Sequence, residues 1–338
     1  MTENLVLAPA RMTTADIFNS AVASSAISAA WELGALDELA ANEKLDVTEF
    51  ATRNDLDQQA TEALFHALAS VRIVERSGGA VLRDVNFADV YKAKGFFHWL
   101  SRGCAELFAN TSSVLPNGNR VGEYYRRDSA AIAVACRDIN KNFFDPVFSA
   151  VMAPLEFTKV ADLGCGSAER LIKVLGWHPT ATGLGIDIAG GALRLAQESV
   201  DAAGLSYRVS LIQDDATAPR PHPEFTDVDL LTCFLMGHDM WPRDECVASL
   251  RKLRAAFPNV KRLLLGDTAR TTSLPDTDIP VFTLGFEVAH RMMGVYLPTL
   301  EEWSGVFAEG GWRLIRQHLV PLPADSVIFE LEPADSAA

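Results

Sequence analysis

From residue 159 onward, short apolar runs alternate with amphipathic stretches, and this alternation constrains the fold more than any other feature of the chain. The runs KVADLG (159–164), TGLGIDI (182–188), YRVSLIQDD (207–215), VDLLTCFLMG (228–237) and RLLLGDT (262–268) have strand length. Helical periodicity fills the intervals at 169–177, 192–204, 243–257 and 300–311, and two closing strands follow near Leu314 and Ser326. Strands that are apolar on both faces need cover on both faces, and the intervening helices supply it. The pattern therefore predicts an α/β fold with a Rossmann-like, doubly wound, mostly parallel sheet of seven strands.

The first part of the chain follows a different pattern. A helix is expected over 15–41, then two helices separated by a polar turn at 54–57, then a hairpin over 71–84 turning at Ser77-Gly78-Gly79. Helices followed by a two-stranded wing give a winged-helix-like unit over 1–102. Further helices at 103–150 bridge to a second domain at 151–338. With 338 residues, two domains are expected. The net charge of −14 disfavours nucleic acid and anionic membranes, which reward clustered Lys and Arg, so the winged unit reads as a dimerisation module rather than a DNA reader. No apolar run reaches the roughly 18 residues of a membrane span, and residues 1–16 lack the pattern of a signal peptide. Five scattered cysteines (104, 136, 165, 233 and 246) without a CxxC pair fit reduced thiols in a cytoplasm. The tail from Pro333 is expected to be disordered.

Between the first strand of the second half and its helix stands Asp162-Leu-Gly164-Cys-Gly166-Ser-Ala168. Glycines there let a ligand approach the backbone, and the helix start offers unpaired N–H groups. A pyrophosphate-binding Gly-x-Gly-x-x-Gly would need glycine at 169, where Glu169 would repel the phosphates. S-adenosylmethionine carries no phosphate, and its ammonium and sulfonium suit Asp162. Asp187, ending the second strand, is placed for ribose hydroxyls, and Asp215, beside the small Ala216, for the adenine amino group. This set resembles the class I S-adenosylmethionine-dependent methyltransferases over the whole second half. The first half resembles the winged-helix dimerisation domain of small-molecule O-methyltransferases, which implies a homodimer.

The segment GHDMWPRDE (237–245) ends the fourth strand, and Glu287 and His290 share a helix face further on. Two readings fit these residues. In the first, His238 is a general base for a hydroxyl-bearing substrate, oriented by Glu287, with Asp239 a bystander. In the second, His238, Asp239 and His290 form a two-histidine, one-carboxylate set suited to non-haem iron, with zinc also accommodated. Spacing alone does not decide between them. The segments at 15–40, 229–260 and 274–303 resemble the C-methyltransferases of nonribosomal peptide antibiotic pathways that act on 2-oxo acids such as phenylpyruvate or 4-methyl-2-oxopentanoate. That resemblance implies one metal ion on His238, Asp239 and His290, through which these residues are catalytic. It also implies Trp99 as a pocket wall, Arg127 as an anchor for the substrate carboxylate, and methyl transfer to C3 of the 2-oxo acid.

Overall fold

The computed structural model describes residues 12–334. The stretch read for a signal peptide and the expected disordered tail lie largely outside them. The described residues divide into two compact units, with the boundary between Asn142 and Phe143.

In the first unit, α1 (Thr14–Glu32) starts at a capping box in which Thr13 and Asp16 bond each other's backbone N–H. Such a box satisfies two donors that helix geometry leaves over. A single helix over 15–41 is not what forms. Gly34, at φ +79°, takes a left-handed conformation that other residues resist, and it starts a separate helix α2 (Ala35–Asn42). A three-residue strand β1 (Lys44–Asp46) then precedes α3 (Val47–Arg53) and α4 (Gln58–Ser70), capped by Asp46 and Asp57. Strands β2 (Val74–Ser77) and β3 (Ala80–Arg83) pair antiparallel about Gly78-Gly79, and β1 adds to β3. Phe50, Phe65, Leu36, Leu39 and Val81 form the core beneath this wing. On α1, Ala23, Ala26, Ile27 and Ala30 are buried, whereas Ile17, Phe18 and Val22 are 61%, 70% and 48% exposed. Short helices α5 to α8 (Phe87–Lys92, Lys94–His98, Ala105–Ala109 and Thr111–Val114) and α9 (Ser129–Ile139) complete the unit, with a π-helical turn at Trp99–Gly103.

The second unit opens with α10 (Asp145–Met152) and continues as alternating strands and helices. These are β4 (Lys159–Leu163), α11 (Glu169–Trp177), β5 (Thr182–Asp187), α12 (Gly190–Ala202), β6 (Val209–Gln213) and β7 (Leu230–Phe234). Then come α13 (Arg243–Ala256), β8 (Arg262–Thr268), α14 (Thr283–Met293), α15 (Leu300–Phe307), β9 (Trp312–Val320) and β10 (Ser326–Pro333). The seven-stranded sheet has the order β6-β5-β4-β7-β8-β10-β9. Strands β4 to β8 run parallel, and β10 is antiparallel to both β8 and β9. The fully buried pattern of β7 explains its unbroken apolar sequence. Because the chain steps from β4 to β5 on one side and returns to β7 on the other, a crevice opens at the carboxyl ends of β4 and β7, where ligands bind in such sheets.

Candidate active site

The loop after β4 is shaped by backbone geometry. Gly164 and Gly166 both have positive φ, at +68° and +53°, and Ala168 at +61° caps α11. A Cβ on Gly164 would lie 2.6 Å from the Met236 sulfur, so glycine is what lets Met236 from the β7 exit rest on this loop. Gly164 and Cys165 donate their N–H groups to the Ile186 carbonyl at 2.8 and 3.1 Å. Gly166 N–H donates to one Asp187 carboxylate oxygen and Ala189 N–H to the other, each at 2.9 Å. The carboxylate at the tip of β5 is thereby fixed against the loop.

Asp162 is 4% exposed and accepts a 2.6 Å bond from the Thr232 hydroxyl. Burial holds its carboxyl above the usual carboxylate range, and the neighbouring Arg170 guanidinium opposes that effect. At the end of β6, the two adjacent aspartates differ. Asp214 is buried and committed to Arg220, accepting from its backbone N–H at 2.8 Å and its guanidinium at 2.9 Å. Asp215 is half-buried and accepts from Thr217 N–H and hydroxyl on a single oxygen, beside the buried Ala216. The more accessible carboxylate is thus Asp215.

The second cluster starts where β7 ends. Leu235 takes φ +54° and donates to Gly266, turning the chain into a short 3-10 helix at Gly237–Met240. A Cβ on Gly237 would meet Asp267 Oδ2 at 2.9 Å, so only glycine lets the backbone come this near β8. That approach allows His238 N–H to donate to Asp267 Oδ2 at 2.7 Å, while His238 Nδ1 bonds Oδ1 at 2.9 Å. Thr268 N–H adds a third donor at 2.8 Å, and Asp267 is wholly buried. With Nδ1 carrying the proton toward the carboxylate, the imidazole lone pair resides on Nε2.

His290 on α14 is arranged the same way. Its Nδ1 donates to the Phe286 carbonyl at 2.7 Å, so its lone pair also resides on Nε2. The two imidazole centroids are 5.0 Å apart with planes at 87°, and Phe286 packs against both rings. Asp239 is exposed, with Oδ1 4.0 Å from His238 Nε2. Among the described residues, no group of three or more His, Cys, Asp or Glu side chains is gathered tightly enough to hold a metal ion. His238 and His290 do converge; Asp239 stands at the edge of the pair.

The role expected for Glu287 as the orienter of His238 is not what forms. Glu287 instead accepts from Thr271 N–H and hydroxyl at 2.7 and 2.8 Å, and Asp267 holds His238. Sequence reasoning missed Asp267; its signal was a carboxylate near the end of RLLLGDT, beside the strand that carries the histidine. Trp241 is a packing residue, stacked on Tyr296 and edge-on to Trp303, which anchors the loop after His238. Trp99 and Arg127 belong to the first unit. Trp99 is 3% exposed in its π-helical turn. Arg127 lies on the surface beside the Cys104 and Cys136 thiols, each pushed up to about 11 by burial that Arg127 partly offsets. Asp128, next to it, caps α9 through Ala131 N–H.

A glycine loop at the switch point of a sheet in this order, with carboxylates ending β5 and β6, defines a class I S-adenosylmethionine-dependent methyltransferase. Residues 160–258 match the family described as a methyltransferase domain. The chain is 48% identical over 330 residues to "Methyltransferase ungE'" of Aspergillus campestris, covering 95% of this chain and 96% of that protein. It is 28% identical over 334 residues to an indolepyruvate C-methyltransferase of Streptomyces griseus, covering 96% of each. Among solved structures, PigF with SAH superposes with a TM-score of 0.67 at 16% identity, covering 95% of this chain and all of that one. The chain belongs to the methyltransferase family of the 48% identical relative, and it is an S-adenosylmethionine-dependent enzyme.

Proposed function

We propose that the enzyme transfers the methyl group of S-adenosylmethionine to C3 of a 2-oxo acid of the phenylpyruvate or 4-methyl-2-oxopentanoate type. One metal ion would be held by His238, Asp239 and His290. The observation that carries this reading is the matched state of the two histidines. Each Nδ1 is spent on a protein acceptor, Asp267 or the Phe286 carbonyl, so both imidazoles bring their lone pair to Nε2 across a 5.0 Å ring separation. Metal-ligating histidines have their second nitrogen oriented in this manner. Asp239 would add the carboxylate, its Oδ1 lying 4.0 Å from His238 Nε2. Two imidazoles and a carboxylate suit iron, and zinc is accommodated. The C-methylation of indolepyruvate named for the Streptomyces relative supports a 2-oxo acid substrate.

When bound, the ion supplies Lewis acidity to the 2-oxo group, which makes the C3 protons easier to remove. The remaining work falls to the chain. Asp162 faces the cationic methionine end of the cofactor, Asp187 takes the ribose hydroxyls, and Asp215 with Ala216 takes adenine. Gly164 and Gly166 let the cofactor lie against the backbone. Transfer of the C3 proton to water leaves an enolate whose C3 takes the methyl group as the sulfonium C–S bond breaks, releasing S-adenosylhomocysteine (SAH). Positioning supplies most of the rate. The winged-helix-like unit pairs two chains into a homodimer, for which Ile17, Phe18 and Val22 on α1 offer an exposed apolar face. Within the described residues no helix is long and apolar enough to cross a membrane, and a cytoplasmic enzyme is proposed, its product feeding nonribosomal peptide antibiotic assembly.

The buried His238–Asp267 pair also favours a second reading, a metal-independent O-methyltransferase with His238 as base. Metal analysis separates the two. In His238→Ala and His290→Ala, the first reading expects bound metal and activity to fall together. Full activity in metal-free wild type would sink it in favour of the second.

A further inference from the structure

Arg170 stands in the first turn of α11, directly after the glycine loop. Its guanidinium lies over the Phe234 ring, 3.5 Å from the centroid, with Phe148 from α10 at 5.1 Å. Asp162 is the opposite charge that acts on it most, followed by Asp145, which is already paired with Lys173. The Arg170 Nη1 atom is shut off from solvent and has no hydrogen-bond partner among the described residues. Guanidinium stays charged at any physiological pH, so a donor left over on a buried arginine is costly until an anion takes it. Packing on Phe234 holds the guanidinium plane fixed, with the Nη1 donor left over for one oxygen of an anion.

The cofactor brings such a group. Its methionine end is an α-amino acid zwitterion, with ammonium and carboxylate on one carbon. Asp162 and Arg170 present the complementary pair of charges at the switch point of the sheet. A carboxylate alone would recognise only the ammonium and leave the methionine carboxylate beside Asp162 and Asp187, both negative.

We infer that Arg170 binds the methionine carboxylate of S-adenosylmethionine, as the cationic partner to Asp162 in a two-point clamp on the amino-acid end. This rests on the placement of that end beside Asp162 proposed above. The clamp is sensitive to what the cofactor carries at its far end and indifferent to its nucleoside.

The test is calorimetry on the full-length protein with three ligands: SAH, its decarboxylated analogue, and 5′-methylthioadenosine, which lacks the whole amino-acid end. Arg170→Met is expected to weaken SAH about 10- to 150-fold, the range of a charge-assisted hydrogen bond, with 5′-methylthioadenosine unchanged. Arg170→Lys should recover part of the loss. In the wild type, removing the carboxylate should cost a similar factor, and in Arg170→Met the two forms should bind alike. Unchanged SAH affinity in Arg170→Met overturns the inference, as does an equal loss for SAH and 5′-methylthioadenosine. Should Arg170→Met not fold, equal binding of SAH and its decarboxylated analogue to the wild type does the same. Asp187→Ala keeps the underlying reading separate. It should weaken all three ligands, and if it weakens none, the loop assignment fails rather than the clamp.

Discussion

Replacing Asp267 with Asn changes one atom in a fully buried carboxylate and probes how the site is built. Asp267 accepts three bonds: His238 N–H at 2.7 Å, His238 Nδ1–H at 2.9 Å and Thr268 N–H at 2.8 Å. An amide has one acceptor oxygen and one NH2. The two backbone donors bond different oxygens, His238 N–H to Oδ2 and Thr268 N–H to Oδ1, so the amide cannot serve both. With its oxygen at the Oδ2 position, the NH2 faces Thr268 N–H and Nδ1 and can only donate, and the imidazole moves its proton to Nε2, the nitrogen that both readings of the site require as a lone pair. If the amide flips, Nδ1–H and Thr268 N–H keep their acceptor and the His238 N–H is orphaned instead. Loss of a hydrogen bond to a charged group costs about 1.5–3 kcal/mol, which is about 10- to 150-fold in rate, in line with the 10- to 100-fold typical of residues that orient metal ligands. The assay is initial rate with S-adenosylmethionine and a 2-oxo acid, alongside metal content and a thermal melt. The expected result is a fall of about two orders of magnitude with the fold retained. Activity within about twofold of wild type would refute the claim that Asp267 sets the state of His238.

Three further outcomes are expected. Gly237→Ala places a methyl 2.9 Å from Asp267 Oδ2 and 3.2 Å from Trp303, and overpacking of this kind costs about 1–3 kcal/mol. It should lower both melting temperature and activity, whereas Gly176→Ala, which meets nothing within 4 Å, should lower neither. Asp214 has a carboxyl held below its usual value: burial raises it, but the Arg220 backbone and guanidinium outweigh that. Its contribution is therefore present above the unfolded value near 3.8 and is lost as pH falls through the lower folded value. Asp214→Asn should be less stable than wild type at neutral pH in denaturant titrations, with the gap closing toward strongly acidic pH. Phe18→Asp should convert the proposed homodimer to monomer in light scattering and leave the chain's own melt unchanged, since Phe18 is already 70% exposed.

The parts of the fold that repeat a local signal were legible, and those that depend on one residue or on convergence were not. Strands β4 to β8 announce themselves because burial on both faces demands continuous apolar runs, and the hairpin at Gly78-Gly79 because its turn needs glycine. The break in the first long helix rests on Gly34 alone, inside an otherwise helical period. Strand β1 is three residues long, too short for any alternation to register. At the site, His238 stood out as an ionisable residue at a strand end. Its partner Asp267 was hidden in a strand read only for its apolar side chains, because adjacency of β7 and β8 is a property of the sheet rather than of either sequence. Glu287 was favoured by sharing a helix face with His290, yet its carboxylate bonds Thr271. Helical spacing places residues on a face without saying what that face meets.

The central claim is that the methyl group goes to carbon. It is tested most directly by incubating the metal-loaded enzyme with phenylpyruvate and S-adenosylmethionine labelled with 13C at the methyl, and observing the product by NMR. The account predicts a carbon-bound methyl coupled to the single remaining C3 proton. An oxygen-bound methyl, whether enol ether or ester, would contradict it.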